Sequence, residues 1–161
     1  MHILMCNDDG ILADGLRHLA SYLSQYYRIT VVAPANEQSA KSHALTTEVP
    51  LKLDACNGED ENPRLYALTG TPSDCMKFGL SYLLTDDMPD LVISGINHGF
   101  NLGSDVLYSG TVSAAMESGF YGIPGLALSV ERYSDERGDE MHPFIHELIE
   151  KIYVAGQFSG L

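Results

Sequence analysis

Short unbroken apolar runs alternate along this chain with stretches whose apolar residues recur three and four positions apart. The runs at 3–6 (ILMC), 28–33 (RITVVA, closed by Pro34), 89–95 (PDLVISG) and 124–130 (PGLALSV) predict buried strands. A parallel strand covered on both faces is apolar continuously rather than alternately. Between them, 16–25 (LRHLASYLSQ) sets Leu16, Leu19, Ala20 and Leu23 at helical spacing. A second helix is predicted over 72–84, with Pro72 in its first turn and Thr71 as its N-cap. A third, over 109–121 (SGTVSAAMESGFY), is rich in small residues that permit close packing on a sheet. A last amphipathic helix covers 142–154, after a charged loop at 131–141. Two short strands, 48–54 and 64–69, flank NGEDEN (57–62), which reads as an exposed hairpin tip. Strands alternating with helices specify a three-layer α/β domain, and the opening β–α–β unit makes a mostly parallel sheet the default.

The chemistry begins where the first run ends, at Asn7, Asp8, Asp9 and Gly10. Adjacent carboxylates repel each other unless a cation or solvent compensates them. Successive strand residues face opposite ways, so both acids serve one site only if the backbone turns, which Gly10 permits. In open α/β sheets the ligand crevice lies outside the carboxyl ends of the strands. A hard divalent cation held by Asp8 and Asp9 and a solvated acidic loop are both consistent with the dipeptide. If the sheet is parallel, the Ser39–Ser42 part of the polar segment 35–47 and the Gly- and Asn-rich Asn97–Asn101 loop open on the same edge. Carboxylate, hydroxyl and amide carbonyl are hard donors of the kind magnesium, manganese and calcium prefer. Ser109-Gly110-Thr111 falls at a predicted helix start. It reads as ordinary capping or as an anion site built from free amides.

A metal beside an anion pocket points to phosphate-ester hydrolysis, with Asp8 or Asp9 accepting a proton from water. His43 and His98 lie in the candidate loops, where proton transfer, substrate contact and plain loop polarity are all open. His142 and His146 are four apart, but no Glu follows the first, so they read as surface helix residues.

The net charge of −13 and the sequence pI near 4.6 argue against nonspecific binding to nucleic acid or anionic membrane. An odd number of cysteines (Cys6, Cys56, Cys75) without metal spacing reads as reduced structural thiols. No apolar run reaches membrane-spanning length, so the expectation is a soluble, cytoplasmic domain. The phosphate loop, the dinucleotide fingerprint and the nucleophile elbow are all absent. A phosphorylation receiver would need an Asp at the end of the PDLVI strand, where Ser94-Gly95 stand, and a later strand-end Lys that 124–130 lacks. A haloacid-dehalogenase-type phosphatase would need its two acids separated by one residue. A binding module without turnover stays open.

NDDGILADGL (7–16), VVAPANEQSAKSHALT (31–46), LTGTPSDC (68–75), PDLVISGINHGFNLGSDVLYSGTVSAAME (89–117) and GIPGLALS (122–129) resemble the SurE family of survival-protein nucleotidases, in order and over nearly the whole chain. The resemblance implies a Rossmann-like α/β fold and a divalent-metal-dependent phosphatase of nucleoside 5′- and 3′-monophosphates. It implies one magnesium or manganese ion per subunit (calcium in crystals is an alternative), held by Asp8, Asp9, Ser39 and Asn97. Asp8 and Asp9 are then the catalytic acids. Ser109, Gly110 and Thr111 line the phosphate site, with Asn7 and Asn101 counted among the substrate-binding residues. The family forms homodimers or tetramers. Two departures stand out. Ala40 occupies a position where the family usually has Gly, and would strain the loop if its φ is positive. Family members are also longer, continuing into a strand and an arm exchanged between subunits, whereas this sequence ends at GQFSGL (156–161). The expectation is one SurE-like domain, 1–161, lacking that C-terminal region.

Overall fold

Residues 1–154 are described by a computed structural model of the chain. In chain order its main elements begin with β1 (His2–Cys6), α1 (Asp14–Leu23), β2 (Arg28–Pro34), β3 (Leu53–Ala55) and β4 (Arg64–Leu68). They continue with α2 (Pro72–Phe78), β5 (Leu91–His98), α3 (Gly110–Gly119), β6 (Gly125–Val130) and α4 (Asp135–Val154). The strands form one sheet in the order β3-β4-β2-β1-β5-β6. Every pairing is parallel except β3 with β4.

All residues of β1 are buried, and their alternation divides the core. Ile3 and Met5 face a cluster with Leu16, Leu19 and Leu23 of α1 and with Ile145 and Ile149 of α4. Leu4 and Cys6 face the opposite cluster, with Cys75 and Met76 of α2 and Ala114 of α3. Each such aliphatic side chain contributes about 1.5–3 kcal/mol when removed from water. Two helices on each side of a mostly parallel sheet make the three layers that the apolar pattern predicts, and β1 at the centre explains why its run is continuous.

Several elements differ from their predicted extents. The segment 48–54 pairs only from Leu53: Pro50 has no N–H to donate, and Lys52 is tied to Thr69. α2 begins as predicted, with Thr71 and Asp74 in a reciprocal capping box, but at Gly79 it widens into a π-helical turn, Gly79–Leu83. β5 runs on to His98 across a bulge between Ser94 and Asn97, so Asn97 stands in a strand and not in a loop. The expected charged loop is helical from Asp135, because Ser134 accepts the Arg137 N–H at 3.4 Å and Asp135 and Glu136 suit a helix start. α4 continues through Pro143, which is exposed, as is Asp139, whose carbonyl the proline leaves free.

His142 corrects the surface reading: it is buried, its ring 5.5 Å from Tyr22, because α4 packs on α1. His146 stacks on Tyr26 at 4.1 Å. All three cysteines are free; Cys6 and Cys75 are buried, while Cys56 is exposed and has no core role. Among the described residues no helix is long and apolar enough to cross a membrane.

Candidate active site

The chain leaves β1 for β2 on one side and later returns to pair β5 on the other. That reversal is the topological switch point where α/β sheets place ligands. Asn7, Asp8 and Asp9 sit on it. Gly10, at φ +100°, turns the chain there. The Asn7 amide clamps the turn, donating to Gly10 O and accepting from Gly10 N, both at 3.1 Å. Asn7 is fully buried, and both ends of its amide are engaged with the turn.

Asp8 is 6% exposed. Its Oδ1 accepts the Thr111 hydroxyl at 2.5 Å, across 103 residues of sequence. α3 approaches this carboxylate through Gly110, where a Cβ would stand 2.8 Å from Asp8 Cβ and 3.0 Å from Pro72 Cγ. Ser109 is the N-cap of α3, its Oγ accepting the Val112 N–H at 3.1 Å. Capping and anion binding are compatible here, since the cap satisfies only one of the orphan amides.

Asp9 accepts the His98 N–H in a long contact of 3.4 Å. Burial raises its carboxyl above the ordinary carboxylate range, and the neighbouring Asp8 charge adds to this; the His98 amide opposes them and Glu37 reinforces them. Among the described residues no Lys, Arg or His side chain forms an ion pair with either acid. Two such charges fit a cation of hard-ligand preference. Also among the described residues, no cluster of three or more His, Cys, Asp or Glu is arranged to hold a metal, so a site here must draw on neutral oxygen donors.

Asp9, Glu37, Ser39, His98 and Tyr133 share the wall of a cavity of about 550 Å³. The polar segment reaches it because Gln38 N donates to Asp8 O at 2.7 Å. Ser39 Oγ donates to Glu37 Oε1 at 2.6 Å, leaving its lone pairs as donors. Ala40 has φ +56° and Ser42 φ +53°. A left-handed turn of the kind glycine adopts freely is therefore made here with Ala, at about 1–2 kcal/mol for an L-residue.

Asn97 donates through Nδ2 to Gly99 O at 2.7 Å, so Oδ1 is the atom a cation would take. Asn101 Nδ2 binds Ser129 Oγ at 2.7 Å. The structure thus joins Asp8 to Gly110 and Thr111, and Asp9 to Ser39 and His98. Asn7 and Asn101 hold backbone or strand partners instead. His43 is drawn elsewhere, its Nε2 donating to Glu117 Oε2 at 2.6 Å. Glu37, Glu117 and Tyr133 are the residues that sequence reading missed. A lone acid within the small-residue helix was the available signal for Glu117, and an acid two positions before Ser39 for Glu37.

Residues 3–158 match the family model described as survival protein SurE. The chain belongs to the SurE family. The 5′-nucleotidase SurE of Thermoanaerobacter sp. (strain X514) is 49% identical over 156 residues, covering 97% of this chain and 61% of that protein. The 5′-nucleotidase SurE of Vibrio vulnificus (strain YJ016) is 50% identical over 130 residues, 81% of this chain and 49% of its own length. The crystal structure of the SurE protein from Aquifex aeolicus superimposes with a TM-score of 0.82 at 38% identity, covering 94% of this chain and 60% of that one. The chain therefore spans about three fifths of the length of the first of these curated relatives. The superposition bears out the SurE fold, the pairing of the strands bears out the mostly parallel α/β sheet, and the family match bears out the motif resemblance.

Proposed function

We propose that this chain carries the metal and phosphate site of a phosphomonoesterase acting on nucleoside 5′- and 3′-monophosphates. The observation that carries the proposal is the acid pair Asp8–Asp9, uncompensated by any cationic side chain among the described residues and set against the start of α3. The names of the SurE relatives support the nucleotidase class.

Asp8, Asp9, Ser39 and Asn97 would hold one divalent ion, magnesium or manganese. When bound, such an ion polarises a phosphoryl oxygen and lowers the pKa of bound water. The chain's own residues do the rest. Thr111 fixes one oxygen of Asp8 by hydrogen bonding, so that carboxylate presents its other oxygen in a set orientation. Asp9 faces the cavity and is the acid positioned to accept a proton from water there. The amides of Gly110 and Thr111, without a partner among the described residues at this helix start, stabilise charge on the phosphoryl oxygens, with Ser109 holding that turn in place.

The test is phosphate release from AMP, GMP and a nucleoside 3′-monophosphate, in EDTA and then with added magnesium or manganese. Turnover should appear only with metal. Asp8→Asn, which changes charge and not size, should abolish it with an unaltered circular dichroism spectrum. Full turnover in EDTA, or near-native turnover by Asp8→Asn, would overturn the assignment. No turnover with any metal would favour a binding module.

A further inference from the structure

His43 lies outside the acid pair's cavity, yet it fixes the segment that carries Ser39. Its Nε2 donates to Glu117 Oε2 at 2.6 Å, and its ring lies 6.1 Å from that of Phe120. Glu117 is 5% exposed, on α3, and Lys77 Nζ of α2 stands 3.9 Å from its other oxygen. A carboxylate so buried needs a charge-assisted partner, and His43 is the close one. This satisfies the His43 nitrogen inside a different cavity, of about 480 Å³, lined by Lys77, Glu117 and Phe120 among others.

The other end of the segment is fixed as well. Gln38 N is bound to Asp8 O at 2.7 Å, and Ser42 binds Tyr108 O through its N–H at 3.0 Å and Leu107 O through its Oγ at 2.7 Å. Residues 39–42 are strung between these points, with Ala40 and Ser42 in the left-handed region. A loop of L-residues leaves that conformation unless its surroundings over-determine it.

We infer that His43 and Glu117 are positioning residues: their hydrogen bond clamps the 38–43 segment onto α3, which holds Ser39 on the cavity wall beside Asp9. The inference rests on the metal reading above, and it makes metal affinity depend on two side chains that do not touch the metal. α3 then sets both sides of the site, Asp8 through Thr111 and Ser39 through Glu117.

The experiment uses the full chain and two variants, His43→Ala and His43→Gln, the latter because its amide can still donate to Glu117. Amide hydrogen exchange across residues 38–44 and manganese affinity of the metal-free protein, read by electron paramagnetic resonance, are the two measurements. His43→Ala should speed exchange selectively in 38–44 and weaken manganese binding about tenfold, the usual scale for supporting residues. His43→Gln should restore both and keep the parent's urea midpoint, whereas His43→Ala, which strips the buried Glu117 carboxylate of its close partner, should unfold at lower urea. Unchanged exchange in 38–44 overturns the clamp whatever the metal does. Manganese affinity unchanged in His43→Ala overturns its link to the site. An unsubstituted chain that binds no manganese sinks the metal reading and that link with it, while exchange still decides the clamp.

Discussion

Ala40 carries a methyl group on a backbone that favours none. Its φ of +56° costs about 1–2 kcal/mol, and glycine would lose only about 0.5–1 kcal/mol of that advantage to its freer unfolded chain. Ala40→Gly should therefore raise the unfolding free energy by about 0.5 kcal/mol in urea titration. A loss of stability would show that the turn carries no strain. At this scale the acid pair was legible, because two adjacent charges after a buried run demand compensation and Gly10 offers the turn. The roles of Asn7, Glu37 and His43 were not. Sequence gives a polar side chain's identity but not its direction, and each of these groups is directed by a partner that folding supplies.

α2 shows what an element reveals in advance. Pro72 and Thr71 announce its start, and the structure adds the return bond, Thr71 N–H to Asp74 Oδ2 at 2.9 Å. Thr71 Oγ1 also donates to Ala44 O at 2.7 Å, joining the cap to the polar segment. Thr71→Ala should destabilise the protein by about 1 kcal/mol or slightly more, the range measured for lost N-caps. Thermal or urea unfolding checks this, and an effect near zero would mean that the box is not maintained in solution. The ends of elements were less legible. The turn at Gly79, the continuation of β5 and the early start of α4 all depend on what packs alongside, which apolar spacing does not report.

Over the whole molecule, layers and parallel pairing follow from the alternation of runs and helices, whereas the strand order does not, since no residue marks the return across β1. His2, on that central strand, links the architecture to pH. Its Nδ1 donates to Asp87 O at 3.2 Å and its Nε2 contacts Thr30 Oγ1 at 2.9 Å. Burial, and then the Arg28 charge, hold its pKa below the ordinary 6.5, against the opposing pull of Asp87. Below pH 6.5 the unfolded chain takes up a proton that the folded one refuses, so stability is complete above that pH and falls as pH drops through it. His142, lowered by burial and by His18, acts in the same sense. His2→Asn should flatten the decline in unfolding free energy between neutral and mildly acidic pH. Identical slopes in variant and parent would remove His2 from that account.

The bond from Thr111 to Asp8 closes 103 residues of chain. Neither acid has its setting until β5 has docked on β1 and α3 has followed. Loop-closure entropy rises slowly with length, about 0.6 kcal/mol per doubling, but non-local parallel pairing is slow to form. The setting of the acid pair in this architecture is thus completed late in folding: the opening β1–α1–β2 unit, however native, would carry the two charges without the groups that fix them.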